Sequence, residues 1–498
     1  MKTPPKVMIA QHPDHAGVPY WKKTAFISTR SEIEECYRSF AELQADEYLW
    51  DWEGKFVDEA VIERLYQKYF RFFRKKQLGR DVFLTFRLPH LNTKRDYRIG
   101  RALFALKTAQ SLAYEIGLNS PPLTEVIIPL VQSPKDLLTI HEAYTQLENL
   151  DHTLFKFRLR GMPQVGVIPI FEKVETLFRV RTILQSYLYE YKKRYGKFPD
   201  YLRPFSARSD PALNSGMIPA TLANKAALTQ YREVEEKTGV PVYPIIGPGA
   251  LPFRGHLTPE TLGEFREEYQ GVHTLVIQGA FRYDWPLEKV KRTITNMRQI
   301  PPGKPATADN SKQLKILCGI FARPYRQTVE QLAAAVNSIA SLMPKRRERI
   351  LHVGLFGYSR GMGKVSLPRA IPFTGALYSL GTPPELIGTG RGLKEAMRLG
   401  LLPILEAEYK NLRRDLTKAL SYYNDQAVSY LAKENSAWQA VQEDAKIIRE
   451  YLNGDAYSKH EEHCMLVIKI ITALRGKTGT KTLRRYVEKA CRLRRSVG

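Results

Sequence analysis

Apolar positions along the chain change their spacing partway through. Across residues 31–77 they recur three and four apart, in "SEIEECYRSFAELQADEYLW" and "DEAVIERLYQKYFRFFRKK", which predicts amphipathic helices. After "QLGRD" short apolar runs take over at a nearly even interval: "VFLTFRL" (82–88), "EVIIPLV" (125–131), "VGVIPIF" (165–171), "YLRPFSA" (201–207), "VYPIIG" (242–247), "TLVIQGA" (274–280), "LKILCGI" (314–320) and "ILHVGLF" (350–356). These runs are apolar throughout rather than alternating, as parallel strands covered on both faces are. Helical patterns lie between most of them, such as "RALFALKTAQSLAYEIG" and "EKVETLFRVRTILQSYLYEYKKRYG". Ser133 before "PKDLL" and Thr258 before "PETLGEF" read as helix caps.

Eight strands alternating with helices predict an α/β fold, a (β/α)8 TIM barrel. The competing arrangement is an open doubly wound sheet, but no glycine-rich dinucleotide fingerprint follows the first run. A solenoid would need a side-chain signature shared between repeats, and none is present. The predicted division is residues 1–78 as an N-terminal loop and helices closing over the barrel, 79–360 as the barrel, and 361–498 as a lid loop and helical extension. Its helical texture shows in "AEYKNLRRDLTKALSYYNDQAVSYLAKEN" and "HCMLVIKIITALRG".

Composition narrows the class. The 498 residues are 43% apolar and 26% charged, a globular balance. No run of apolar residues is long enough to span a bilayer. "MKTPPKVMIAQHPDH" lacks the apolar core of a signal peptide, so cytoplasm is the expected location. Four scattered cysteines give neither a zinc pattern nor a disulfide framework. Net charge is +25, from 76 Lys and Arg against 51 Asp and Glu. Such an excess attracts polyanions or steers small anionic substrates. The basic stretch from Arg475 to Gly498 has helical spacing, and a solvated basic face is its simplest reading.

Barrel chemistry sits at the C-terminal ends of the strands. Read in order, those ends supply Arg87, then Glu172, then Arg203, Arg208 and Asp210, then Arg254, Arg282, and finally Arg360 with Lys364 in "GYSRGMGK". Glu172 closes an otherwise apolar run, and a buried carboxylate there needs a positive partner. Two carboxylates with open positions suit Mg2+ or Mn2+ when the substrate supplies further ligands. Arginines grip phosphate and carboxylate with a planar fork. The site therefore fits a phosphorylated carboxylic acid on a divalent metal. "GPGALPFRGHLTPE" reads as a tight loop offering Arg254 and backbone amides to a phosphate. His12 in "AQHPDH" is a candidate proton carrier, with His15 close by. "DEYLWDWEGKF" places Trp50 and Trp52 around Asp51, Glu53 and Lys55, and reads as an aromatic anchor docking the N-terminal helices.

"QHPD", "DEYLWDWEGK", "LRPFSARSDPALNSG", "LPFRGHLTPE", "QGAFRYDWPL" and "PRAIPFTGALYSLGTPPELIGTG" together resemble archaeal-type phosphoenolpyruvate carboxylase, from about residue 8 to 390. The resemblance implies a (β/α)8 barrel and a cytoplasmic homotetramer. It implies conversion of phosphoenolpyruvate and bicarbonate to oxaloacetate and phosphate, an anaplerotic carbon dioxide fixation, with no nucleic acid or membrane as partner. Weaker echoes of the longer bacterial and plant carboxylases imply roles. Glu172 in "PIFEK" and Asp210 in "ARSDPALNSG" match metal ligands. His12, Arg254, Arg282 and, more loosely, Arg87 match catalytic residues. A lysine of the longer enzymes is replaced by Leu213, so Arg208 or Lys55 is expected to supply that cation. Arg208, Lys55 and Arg360 are expected on the substrate, and "GYSRGMGKV" as a lid. The chain ends Arg494-Arg495-Ser496-Val497-Gly498 and lacks the asparagine that binds acidic inhibitors in those relatives. Alternatives are another divalent-metal barrel lyase or phosphotransferase acting on pyruvate-like anions, and, more remotely, a nucleic-acid-binding protein.

Overall fold

The computed structural model describes residues 3–55, 57–91, 97–149, 165–305, 311–348, 360–362, 365–454, 460–476 and 479–498. Its strands β1 (Val7–Ala10), β2 (Glu47–Asp51), β3 (Phe83–Arg87), β4 (Glu125–Ile128), β5 (Gly166–Phe171), β6 (Phe205–Ala207), β7 (Ile245–Gly247) and β8 (Thr274–Ile277) close an eight-stranded barrel. Every pairing is parallel, and β8 returns to β1 with Leu275 opposite Val7. Alternate positions Met8, Ala10, Leu49, Ile168, Ile170, Phe205 and Ala207 belong to one buried cluster that fills the lumen.

The fold class is the one predicted, but the strand count begins earlier. β1 and β2 lie in the stretch read as an N-terminal loop and helices, so the barrel starts at Val7 rather than 82 and its last strand ends at Ile277. β1 has only four residues, "VMIA", too few to establish a period. In "EYLWD" every residue is buried, and its aromatic character suits a strand. Trp50 is therefore a strand residue, and Trp52 stacks on Phe86 at 3.7 Å, within the barrel wall rather than as a docking anchor.

The run at 314–320, expected as the seventh strand, lies in the helix Ser311–Ala340. Leu314, Leu317, Cys318 and Phe321 are buried at helical spacing, while Ile316 is 52% exposed and disguises the period. The run at 350–356 lies outside the described residues. The division at 79 and 360 moves accordingly.

Helices cover the outside of the barrel. Pro134–Glu148 begins after the predicted cap Ser133, whose N–H donates to Asp136 Oδ2 at 2.9 Å. Met217–Thr238 packs against the long helix Ser311–Ala340. A two-stranded hairpin follows, β9 (Arg360–Met362) and β10 (Val365–Leu367), and then helices from Ala370–Ser379 to Thr480–Leu493. No described helix is long and apolar enough to cross a membrane.

Candidate active site

A cavity of about 610 Å3 opens at the C-terminal ends of the strands. His12, Arg87, Glu172, Arg208, Asp210 and Arg254 all line it. Glu172 directly follows β5, and Asp210 sits in the first turn of the helix Ser209–Ser215 after β6. β5 and β6 are hydrogen-bonded neighbours, Phe171 opposite Ser206, so two adjacent strands deliver two carboxylates to one cavity.

Glu172 is buried, and its charge is felt by Arg87. Arg87 Nε meets Asp51 Oδ1 and its Nη1 meets Glu53 Oε2, each at 2.9 Å. Burial alone would weaken the guanidinium's hold on its proton. Asp51, Glu53 and then Glu172 more than reverse that and hold it well above the usual range. Arg87 is thus a fixed cation at the wall of the cavity.

Arg254 is buried and held from several sides. Its Nε donates to Ser209 Oγ at 3.0 Å and its Nη1 to Asp14 Oδ2 at 3.1 Å. Gln278 Oε1 and the Gly498 oxygen accept from its Nη2 and Nη1. Burial lowers its proton affinity, opposed by Asp14 and then Asp210.

Arg208 also reaches the cavity wall, but its guanidinium turns inward. It donates to Tyr269 Oη at 2.9 Å, the Phe253 carbonyl at 3.0 Å and Thr221 Oγ1 at 2.8 Å. It supports the Arg254 loop from behind.

Three expected residues lie elsewhere. Arg282 does not line the cavity; the short helix Gly279–Tyr283 turns it to Glu35 Oε1 at 3.0 Å and to the Ala10 carbonyl at 3.0 Å. Lys55 Nζ is bound to Glu32 Oε1 and Gln11 Oε1, both at 2.6 Å. These two cations stand behind the wall because the helix Thr29–Ala41 brings the acids Glu32 and Glu35 to them. Arg203 sits at the opposite end of the barrel. β6 starts only at Phe205, so Arg203 precedes the strand and meets Glu47 Oε2 and Glu125 Oε2, each at 2.6 Å, at the starts of β2 and β4. Arg360 belongs to β9, but its side chain, with Lys364 and most of the expected lid, lies outside the described residues.

Other cations line the cavity that sequence reasoning did not assign: Lys345, Arg346, Arg347 and Arg369. Arg347 joins the buried network through Glu35, at 2.7 Å from Nη1 to Oε2. Arg346 donates to the His15 and Ala16 carbonyls at 2.9 and 3.0 Å. The signal was the basic run "KRRER", whose position in space depends on a long-range return of the chain.

The two histidines of "HPDH" differ. His12 lines the cavity and its carbonyl accepts from Gly279 N–H at 3.2 Å. His15 is buried behind it, and burial pushes its imidazole down to about 3, so it stays neutral. Asp14 accepts from Ala280 N–H at 2.7 Å, which fixes the loop between them.

Among the described residues no group of three or more His, Cys, Asp or Glu is gathered around an ion site. Two hard oxygen donors on neighbouring strands, with room beside them, fit a divalent ion that takes its remaining ligands from substrate and water.

Fold and site define a (β/α)8-barrel protein with two carboxylates and several arginines lining one cavity at its mouth. A sequence profile described as phosphoenolpyruvate carboxylase matches residues 4–498. Similar proteins named phosphoenolpyruvate carboxylase come from Oenococcus oeni (36% identical; 99% of this chain, 98% of that protein), Methanothermobacter thermautotrophicus (37%; 99% of each) and Metallosphaera sedula (34%; 100% of each). The chain belongs to the phosphoenolpyruvate carboxylase family.

Proposed function

We propose that this chain joins bicarbonate to phosphoenolpyruvate, giving oxaloacetate and phosphate, in the cavity between Glu172 and Arg254. The supporting observation is the pair of carboxylates that follow adjacent strands, in a cavity that Arg87, Arg254, Lys345, Arg346 and Arg369 also line. Every small reactant is an anion, and such walls gather and neutralise anions.

Glu172 and Asp210 would hold Mg2+ or Mn2+. When bound, that ion supplies positive charge beside the oxygens that gain electron density as phosphate is transferred. The chain's own groups do the rest. Arg87, fixed by Asp51 and Glu53, and Arg254 orient phosphoenolpyruvate and bicarbonate so that a bicarbonate oxygen faces phosphorus. The P–O bond to the enol oxygen breaks, leaving carboxyphosphate and the enolate of pyruvate. An imidazole nitrogen of His12 accepts the carboxyl proton of carboxyphosphate, which splits into carbon dioxide and phosphate. The enolate carbon then attacks carbon dioxide. Arg282 supports the step indirectly by holding the Ala10 carbonyl at the root of the His12 loop.

Homotetrameric assembly and a cytoplasmic location are part of this reading.

Glu172→Gln and Asp210→Asn are expected to lower oxaloacetate formation by about a thousandfold while leaving the melting temperature near its original value. Chelation should silence the original protein and added Mg2+ restore it. Phosphate release that does not depend on bicarbonate would overturn the reading in favour of a phosphotransferase or another lyase.

A further inference from the structure

Arg254 lies on the loop that follows β7, and the residues beside it are gripped from outside the barrel. Glu385 Oε1 accepts the Phe253 N–H at 2.8 Å and the Tyr378 hydroxyl at 2.8 Å. Asp415 Oδ1 meets His256 Nδ1 at 2.7 Å, and its Oδ2 accepts the Tyr409 hydroxyl at 2.7 Å. Both acids come from the helical region after the barrel, 132 and 159 residues along the chain from their partners.

The grip is unlike ordinary packing. Glu385 and Asp415 are buried, and Glu385 Oε2 has no hydrogen-bond partner among the described residues. A buried carboxylate is a poor device for stability, because desolvation offsets its attraction. An apolar contact would dock the same helices at lower cost. Burial would push the Asp415 carboxyl up, but His256, then Arg414 and the Tyr409 hydroxyl, reverse this and hold it below its usual range, so His256 meets a charged acceptor.

The backbone is also bent where the grip falls. Gly255 has φ +115° and His256 φ +59°. The left-handed conformation is uncommon for a residue with a side chain and persists where the surroundings impose it. Thr261 Oγ1 adds a bond to the His256 carbonyl at 2.6 Å. The result is a sharp turn with Arg254 at its apex, held at 253 and at 256.

We infer that the His256–Asp415 pair, together with Glu385, positions Arg254 for the reaction, so that the helices after the barrel take part in catalysis through this loop. The pair touches no substrate. It fixes the depth and angle at which the Arg254 guanidinium meets the anion. This rests on the reading of Arg254 as a site cation.

The test is a double-mutant cycle. His256→Asn suits the left-handed backbone, since asparagine adopts it readily, but loses the reach to Asp415. Asp415→Asn keeps shape and the Tyr409 contact and loses the charge. Each alone should lower kcat/KM for phosphoenolpyruvate about ten- to a hundredfold, with weaker phosphoenolpyruvate binding by calorimetry. In an Arg254→Ala background the same substitutions should change kcat/KM less than twofold, because they act only through Arg254. A purely structural role would give the same loss in both backgrounds, tracking a lowered melting temperature, and would overturn the inference. Original protein that binds phosphoenolpyruvate but forms no oxaloacetate would sink the proposed function instead, and the calorimetric cycle would still decide this one.

Discussion

The His15 imidazole donates from Nε2 to the Ala25 carbonyl at 2.9 Å and lies edge-on to Tyr283 at 5.2 Å between centroids. Burial is the largest cause of its depressed proton affinity; the Arg347 and Arg346 charges add to it, while the Ala25 bond and Glu35 oppose it. The consequence for stability has a definite sign. Unfolded, the ring takes a proton near its ordinary value of 6.5; folded, it refuses one until about 3. Between those values the unfolded chain binds more protons, so stability falls as pH falls. Above 6.5 this contribution is fully present, and below about 3 it is gone. One proton of difference gives a slope of about 1.4 kcal/mol per pH unit. His15→Gln, which can keep a donor to the Ala25 carbonyl, should flatten the urea-derived stability profile between pH 6 and pH 4 by roughly that slope. An unchanged profile would mean that the imidazole is protonated in the folded protein.

Among whole elements, the floor of the barrel shows how strands are held in register without chemistry. Arg203 bridges the first residues of β2 and β4 from the approach to β6, and Thr85 on β3 donates to Glu47. Removing one partner of such a buried cluster leaves uncompensated charge. Arg203→Met should therefore cost about 3–5 kcal/mol in denaturant unfolding, while the folded fraction keeps its KM, since the cavity lies at the other end. The same arginine shows what the chain disclosed before folding. Runs such as "EVIIPLV" and "VGVIPIF" announced β4 and β5 because parallel strands buried on both faces need continuous apolar sequence. Glu172 and Asp210 were legible because a carboxylate at the end of such a run is local information. Arg203 was misplaced because the run "YLRPFSA" begins before its strand does, and in a barrel the two ends of a strand have opposite uses. β1 was too short to be seen. Lys55 and Arg282 carried the right charge, but whether a cation faces the cavity or Glu32 and Glu35 is decided by the helix Thr29–Ala41, packed over β2 from earlier in the chain. Arg347 and Lys345 stood in a basic run, "KRRER", but only the long-range return of the chain brings that run to the cavity.

Across the whole molecule, residues from opposite ends of the chain meet at Arg254. Val497 N–H donates to the Asp14 carbonyl at 2.6 Å, and Asp14 in turn holds Arg254. Arg494 shapes the preceding turn, with Nε to the Ser496 carbonyl at 3.1 Å and Nη2 to the Val497 carbonyl at 2.9 Å. Gly498 then slots against the helix Ala370–Ser379. A Cβ at 498 would stand 2.0 Å from the Ile371 carbonyl oxygen and 2.6 Å from Gly375 N, both backbone atoms. Neither can move far without disturbing that helix, whose leading residues Arg369, Ala370 and Ile371 line the cavity. Gly498→Ala must therefore lift residue 498 away and take its oxygen off Arg254 Nη1. Arg254 would keep Asp14, Ser209 and Gln278 but lose one of the four partners that fix its plane. The expected result is a drop in kcat/KM of about tenfold or more, measured on protein that remains folded. Gly498→Ala with unaltered kinetics would show that Arg254 is oriented by the barrel and the 253–256 grip alone, with no help from residue 498.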